Sequence, residues 1–313
     1  MPERSTAFFC RGANHCFVDT LSHALIAWIL FSVTGLSSLL PFVILGAVIV
    51  DVDFFFSFIS DSIPSLYLFS HGGIAHSLAG VCLLSVLAYF TIVLIAFAGI
   101  ISPATLSGYG VYGFAAVLGG ALSHLTIDVM ACPGIPLLAP FVDRKYTLGI
   151  LPGPSILVAM AALGLVVVTV TTVLAFPFSL TLYALAVLLY LAVRGGFFLI
   201  AFTRLPGRKV PTVNPLRWLA ISEKETCCTV QQYSLFHGLN GESVFTKYKD
   251  TSAAEVKSAL RFPEVRRLFF HSYCVIAERI GSDLILHDPL RESGYLYYPP
   301  HHKRVAVTIE DQR

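Results

Sequence analysis

The chain has 313 residues, of which 56% are hydrophobic and 13% are charged, and this composition excludes an ordinary soluble globular domain. A formal net charge of +2 and the lack of a long basic stretch give no reason to expect direct binding to nucleic acid. The charges are unevenly distributed, since 204–313 contains sixteen Lys and Arg whereas 20–203 contains three. The sequence therefore predicts an N-terminal extension over 1–18, a membrane-embedded domain over 19–203 and a water-facing C-terminal domain over 204–313.

The first predicted elements are two short apolar runs, 24–34 and 42–50, with a break from Gly35 to Pro41 between them. Each run is about half of the ~20 residues that a membrane-spanning helix needs. We therefore predict a helical hairpin over 20–50 that packs among other helices and could be re-entrant. Two compressed spans are the alternative.

Four longer apolar runs follow the hairpin, and each is long enough to cross a membrane. They are 74–101, 105–130, 156–176 and 180–202. The predicted fold class is an α-helical integral membrane bundle of four long spans plus the N-terminal hairpin, with a small C-terminal α/β domain. Arg194 lies in the last run, and we expect it to face the bundle or snorkel near the helix end rather than to contact a substrate.

The positions of the basic residues predict the orientation in the membrane. If the four spans alternate, the long loops, the C-terminal domain and bases such as Arg144, Lys145 and Arg204 all lie on one side, and the short loops opposite contain no Lys or Arg. The positive-inside rule makes the basic side cytoplasmic. We expect a multi-pass protein of the cell membrane, without a cleavable signal peptide.

The C-terminal domain is predicted to mix strands and short helices. Alternating patterns predict strands, and a Ser252 N-cap marks the first of two helices. The predicted strands are 226–236, 243–248, 273–278, 284–288 and 304–309, and the predicted helices are 252–260 and 263–270. The strands 273–278 and 284–288 are predicted to form a hairpin around Gly281. We interpret Pro211 to Trp218 as a connector, and no residues in this domain have catalytic spacing.

The seven cysteines are odd in number and form no CxxC pair, so a disulfide framework is not expected and a reducing location fits. Cys10, His15 and Cys16 could hold a metal, but thiols in a loose N-terminal extension are the simpler interpretation. We interpret His301 and His302 as part of a solvated loop rather than as metal ligands.

Polar residues of the membrane domain collect at the predicted cytoplasmic helix ends. They are His23, His71, His76, His124, Asp19, Asp51, Asp53 and Asp128. Asp19 and His23 are four residues apart, as are His124 and Asp128, so each pair can share a helix face. Gly72 and Gly73 would let the chain turn so that His71 and His76 face one centre. Asp51 and Asp53 could point to one side only if the backbone there is extended.

Carboxylates near hydrocarbon are costly and repel one another, and a divalent cation removes both problems. Imidazole and carboxylate ligands suit Zn²⁺ first, with Mn or Fe as alternatives. All eight residues are candidate ligands, for two metals or for one metal with outer carboxylates that orient histidines. Asp51 or Asp53 could serve as general base. The main rival interpretation is a proton relay in a transporter.

Five segments together resemble the YdjM family of membrane-bound metal-dependent hydrolases. They are Asp19 to Leu25, Gly46 to Asp53, His71 to Ser77, Ser123 to Asp128, and Gly134 to Phe141. The resemblance covers most of 19–313, including the Asn-Pro-x-x-Trp segment of the connector. This chain has Val50 where relatives have proline, and lacks the Arg and Thr usual in the segment after His71.

The resemblance implies a metal-dependent hydrolase, and its His/Asp pattern is similar to that of zinc-dependent phospholipase C-like enzymes. A lipidic phosphoester is therefore the expected substrate and membrane lipid the expected partner. The alternatives are a proton- or metal-coupled transporter, which the small number of spans and the absence of an evident inverted repeat disfavour, and a non-catalytic membrane anchor whose tail binds a partner.

Overall fold

The computed structural model describes residues 14–32, 34–35, 37–100, 102, 110–153, 156–171, 176–296 and 303–309. The helices are α1 (Asn14–Ser32), α2 (Leu40–Ile49), α3 (Ser57–Ser62), α4 (Leu78–Phe97), α5 (Gly110–Met130), α6 (Ile156–Thr171), α7 (Phe176–Arg204), α8 (Ala253–Ala259), α9 (Pro263–His271) and α10 (Pro289–Glu292). Short 3₁₀ helices lie at Ser37–Leu39, Val50–Phe56, Pro64–Phe69 and Ile74–His76. The strands are β1 (Arg208–Pro211), β2 (Arg217–Glu223), β3 (Cys227–Ser234), β4 (Gly238–Thr246), β5 (Tyr248–Lys249), β6 (Ile276–Ile280), β7 (Asp283–His287) and β8 (Arg304–Thr308).

Four helical segments in the described chain are long and apolar enough to span a membrane. They are Ser37–Ser62, Leu78–Phe97, Gly110–Met130 and Phe178–Arg204. Their outward faces are apolar, as exposed Leu83, Phe90 and Leu188 illustrate, which is the pattern of lipid-facing helices. The structure has four candidate spans, as predicted, but one of them is a different segment from the one predicted. The second half of the predicted hairpin continues through 3₁₀ turns into α3 and reaches spanning length, whereas α6 is shorter than a span.

The backbones of helices α2 and α5 are in direct contact. A Cβ atom on Gly46 would lie 1.8 Å from the carbonyl oxygen of Val117, and one on Gly120 would lie 1.9 Å from the carbonyl oxygen of Val43. Since no side chain fits between them, glycine at both positions lets the two helices meet directly. This contact brings the end of α2 against the last turns of α5.

The C-terminal domain contains two four-stranded sheets, ordered β1-β2-β3-β4 and β5-β6-β7-β8. The first is antiparallel throughout, and the second joins a parallel β5–β6 pair to the antiparallel β6–β7–β8 strands. The predicted hairpin around Gly281 and the Ser252 cap are confirmed, the latter as a capping box with Glu255. The predicted connector was wrong in part, because Pro211 ends β1 and Trp218 lies in β2.

Two arginines fasten the C-terminal domain to the membrane bundle. The guanidinium of Arg267 donates to the carbonyl oxygens of Ser60 and Asp61, at 3.0 and 3.1 Å. Arg194, buried in α7, donates to the carbonyl oxygens of Ile150 and Thr212. Arg194 therefore faces protein, as predicted, and links α7 to the loop after α5 and to the β1–β2 turn.

Candidate metal centre

Seven of the eight predicted ligands converge at one end of the bundle. His23 comes from α1, Asp51 and Asp53 from the 3₁₀ helix after α2, His71 from the turn before α4, His76 from the 3₁₀ turn that precedes α4, and His124 and Asp128 from α5. Ligand atoms of the first group, Asp51, Asp53, His71 and His76, lie within 4.8 Å of one another, as do those of His23, His124 and Asp128. The side chain of Asp19 lies outside the described residues, as do Cys10, His301 and His302 and the side chains of His15 and Cys16.

Four atoms from the two groups form a closed ring of imidazole–carboxylate contacts. The Nε2 atom of His76 lies 3.4 Å from Asp51 Oδ1 and 3.3 Å from Asp128 Oδ2. The Nε2 atom of His124 lies 3.4 Å and 3.3 Å from the same two oxygens. In a tetrahedral site with bonds of about 2.0–2.1 Å, neighbouring ligand atoms lie about 3.3–3.4 Å apart. The four imidazole–carboxylate distances match this spacing.

The tautomer of His124 fits a ligand role. Its Nδ1 atom lies 2.6 Å from the carbonyl oxygen of Ala47. A carbonyl oxygen only accepts, so Nδ1 carries a proton, and in the neutral imidazole Nε2 presents a lone pair to the carboxylates. That buried Nε2 atom forms no hydrogen bond with any residue that the structure describes. A lone pair facing two carboxylate oxygens is unfavourable unless a cation or a proton lies between them.

His76 has a carboxylate beside its Nδ1 atom. Its Nδ1 atom lies 3.0 Å from Asp53 Oδ2, which directs Nε2 toward Asp51 and Asp128. Asp53 also accepts from the backbone N–H of Gly72 at 3.1 Å and contacts His71 Nδ1 at 2.8 Å. Because both of its oxygens are engaged, Asp53 acts as an orienting residue in this geometry.

His23 and His71 flank the four central residues. The ring of His23 stacks on that of His124, with centroids 3.7 Å apart, and its Nε2 atom lies 3.5 Å from Asp128 Oδ1. His71 lies at the opposite side and is partly exposed. Gly72 adopts φ +72°, the conformation expected of a glycine in this turn.

The backbone at Asp51 and Asp53 is not extended, so the condition under which both side chains could point to one side is not met. Both lie in the 3₁₀ helix Val50–Phe56, where residues two apart point about 120° away from each other. They therefore approach the ring of His76 from two sides, with Asp51 near Nε2 and Asp53 near Nδ1. A second contact fixes Asp51, whose Oδ2 accepts a hydrogen bond from the hydroxyl of Thr20.

The electrostatic field of the cluster favours positive charge. Burial alone would lower the pKa of His76, but the carboxylates of Asp53, Asp51 and Asp128 outweigh it and raise the pKa to about 10. Metal ligands must be deprotonated, so a divalent cation bound here displaces that proton.

A cavity of about 150 Å³ adjoins the cluster. Its polar wall includes His23, Asp51, His71, His76 and Asp128, and its apolar wall includes Ile26, Val158, Val187 and Leu191 from the helices. Lys145 of the loop after α5 and His271 of α9 complete it. The C-terminal domain thus supplies part of the wall of the cavity.

Comparison with known proteins identifies the family. The sequence model of the YdjM inner membrane protein family matches residues 18–198, more than half of the chain. The chain belongs to the YdjM inner membrane protein family. Neither curated proteins nor solved structures provide a match. The family match covers the whole cluster and ends before the C-terminal domain.

Sequence reasoning missed several residues at this site. The carbonyl of Ala47, the hydroxyl of Thr20, Lys145 and His271 all contact or face the cluster only because distant segments meet. For Ala47 the sequence does contain a signal, because this residue lies four positions before Asp51 and can share a helix face with it.

Proposed function

We propose that this YdjM family member is a metal-dependent membrane hydrolase that acts on a lipid phosphoester. The observation that carries the proposal is the arrangement of His76 Nε2, His124 Nε2, Asp51 Oδ1 and Asp128 Oδ2 at tetrahedral spacing beside a cavity. A bound divalent cation supplies a Lewis acid and acidifies water that reaches it.

Zn²⁺ suits this donor set best, and Mn²⁺ and Fe²⁺ are the alternatives. His76, His124, Asp51 and Asp128 would hold the ion. We assign Asp128 to the substrate side of the site, because it lines the cavity and its side chain is 18% exposed, the largest value among the four donors.

Within the proposal, His71 accepts the proton of the attacking water. Its Nδ1 atom lies 2.8 Å from Asp53 Oδ1, a carboxylate that favours the proton on Nδ1, and the ring lines the cavity. Asp53 fixes that tautomer, so the general-base role predicted for Asp51 or Asp53 becomes indirect.

Lipid is the proposed source of the substrate because the apolar wall of the cavity is formed by α1, α6 and α7. The side chains of Ile26, Val158, Val187 and Leu191 are hydrocarbon, and they suit a hydrocarbon group next to the phosphoester. We also propose that the centre and the C-terminal domain face the cytoplasm, on the strength of the distribution of Lys and Arg.

The decisive experiment measures metal content in the full chain purified in detergent. Wild-type protein should contain Zn, Mn or Fe in stoichiometric amounts, and His76→Ala should lose it. His237→Ala, at an exposed histidine of the C-terminal domain, is the matched control and should keep it. Folded wild-type protein without metal after reconstitution would falsify the proposal, and metal-dependent phosphate or alcohol release from a lipid phosphoester would support the hydrolytic step.

A further inference from the structure

A second, larger cavity begins where the first one ends. It has a volume of about 890 Å³ and shares Pro133, Lys145 and His271 with the cavity beside the metal centre. Its walls come from the loop at 143–149, from 207–209 at the start of β1, and from α9. The larger cavity therefore lies between the membrane bundle and the C-terminal domain.

The larger cavity is strongly basic. Five of its lining residues are bases: Arg144, Lys145, Arg208, Lys209 and Arg266. Asp143 is the one acid among its described lining residues, and it already accepts a hydrogen bond from the hydroxyl of Tyr67 at 2.8 Å. Five positive charges facing one carboxylate create a potential that attracts anions.

Aromatic rings rather than carboxylates contact three of these bases. Lys145 Nζ lies 4.2 Å from the ring centre of Phe270, the guanidinium of Arg208 lies 4.4 Å from that of Tyr273, and Lys209 Nζ lies 4.9 Å from that of Phe202. None of the three forms an ion pair with a carboxylate in the part of the chain that the structure describes. Their charges are positioned without being neutralised, as in sites that bind phosphate.

Lys145 is affected both by burial and by its cationic neighbours. Burial lowers the pKa of its ammonium group to about 7, and repulsion from Arg291 and Arg208 contributes to the shift. An anion beside Lys145 would relieve that repulsion.

We infer that the basic cavity binds a second phosphate of the lipid substrate, one that lies beyond the phosphoester held at the metal centre. The inference rests on the proposed function for the position of the first phosphate. It assigns the substrate class as a lipid diphosphate or a lipid phosphodiester whose head group is itself phosphorylated. It also gives the C-terminal domain a role, because Arg266, Phe270 and Tyr273 belong to that domain and form or support the basic wall.

Two features favour a lipid over a free phosphate compound. The cavity beside the metal centre has an apolar wall, and the basic cavity reaches Phe198 and Phe202 of α7, the latter with 60% of its surface exposed among lipid-facing side chains. A ligand that occupies both cavities therefore needs an apolar portion as well as two anionic groups.

The test measures the binding of farnesyl methylenediphosphonate, whose P–C–P bridge cannot be hydrolysed, to the full chain in detergent with added Zn²⁺. Wild-type protein should bind this probe about tenfold or more tightly than farnesyl phosphonate, the value expected for one charge-assisted contact. The double variant Lys145→Gln with Arg208→Gln should lose that difference. Lys257→Gln with Arg304→Gln removes the same charge from exposed positions elsewhere in the C-terminal domain and should retain it.

Three results would overturn the inference. The first is equal affinity of wild-type protein for the two farnesyl probes, and the second is unchanged affinity in the cavity double variant. The third is equal affinity of wild-type protein for methylenediphosphonate with and without the farnesyl group, which would reject a lipid occupant. Metal content measured on the same preparations separates this failure from that of the proposed function. If the protein lacks metal but the two double variants still differ in probe affinity, the proposed function fails. If the protein holds metal but the two double variants bind the probe equally, the inference about the basic cavity fails.

Discussion

The Nδ1 atom of His124 lies 2.6 Å from the carbonyl oxygen of Ala47, and this contact determines which ring nitrogen faces the carboxylates. Ala47 lies on α2 one turn before Asp51, and His124 lies on α5 one turn after Gly120. The close approach of the two helices at Gly120 therefore sets both the tautomer of the imidazole and its distance from Asp51. The geometry of the candidate centre depends on helix packing as much as on the ligands themselves.

Gly120→Ala should disturb the centre without touching a ligand. Its Cβ would lie 1.9 Å from the carbonyl oxygen of Val43, so α2 and α5 must separate. We expect a loss of about 1–3 kcal/mol in the free energy of unfolding, together with weaker metal binding. Gly164→Ala is the matched control, because a Cβ there meets nothing within 4 Å. Thermal unfolding in detergent and metal content measure both effects, and equal behaviour of the two variants would contradict the packing argument.

Asp53→Asn should weaken metal binding without abolishing it. Asp53 contacts Nδ1 of both His71 and His76, so its loss frees the ring orientation while the four central donors remain. Loss of such an outer carboxylate lowers metal affinity by about 10–100-fold. Competition with a chelator measures this change. Asp250→Asn, at an exposed position with φ 51° that asparagine also tolerates, should leave affinity unchanged, and complete metal loss in Asp53→Asn would make Asp53 a direct ligand instead.

The ligand types and the membrane character followed from the sequence because both depend on local patterns. Long apolar runs predict spans, and the four-residue spacing of His124 and Asp128 places both on one helix face. The different roles of Asp51 and Asp53 could not be predicted from the sequence. Whether Asp51 or Asp53 faces the centre depends on the 3₁₀ geometry of their segment, and this is fixed by packing against α4 and α5 rather than by propensity.

The basic cavity could not be predicted from the sequence either. Lys145 and Arg266 are more than a hundred residues apart and come from different predicted domains, so no spacing relates them. Only the docking of α9 against the loop after α5, supported by Arg267, brings them to one cavity.

Arg194→Gln should loosen the loop that lines both cavities. The guanidinium donates to carbonyl oxygens of Ile150 and Thr212 and is buried. Removing it leaves partly buried carbonyl groups without their charged donor, at a cost of about 1–3 kcal/mol in the free energy of unfolding. Arg194→Lys should recover only part of this, because an ammonium cannot reproduce the planar fork. Thermal unfolding ranks the three proteins, and a lysine variant as stable as wild type would show that charge alone is sufficient.

Lys145 should give anion binding a pH dependence that Lys145→Arg removes. Since the pKa of Lys145 is lowered to about 7, the side chain is charged below that pH and neutral above it. The affinity for farnesyl methylenediphosphonate should therefore fall as the pH rises above about 7. Arginine keeps its charge across this range, so the ratio of the two affinities isolates Lys145 and cancels the ionisation of the probe.

The stability of the ligand-free protein should change with pH in the opposite direction. A lysine whose pKa is lower in the folded than in the unfolded state binds fewer protons when folded, so stability rises with pH between about 7 and the ordinary lysine value of about 10.4. The melting temperature of wild-type protein relative to Lys145→Arg should therefore increase across that window while probe affinity decreases. If both quantities move in parallel, Lys145 is not the group that responds, and the basic cavity does not act through its ammonium.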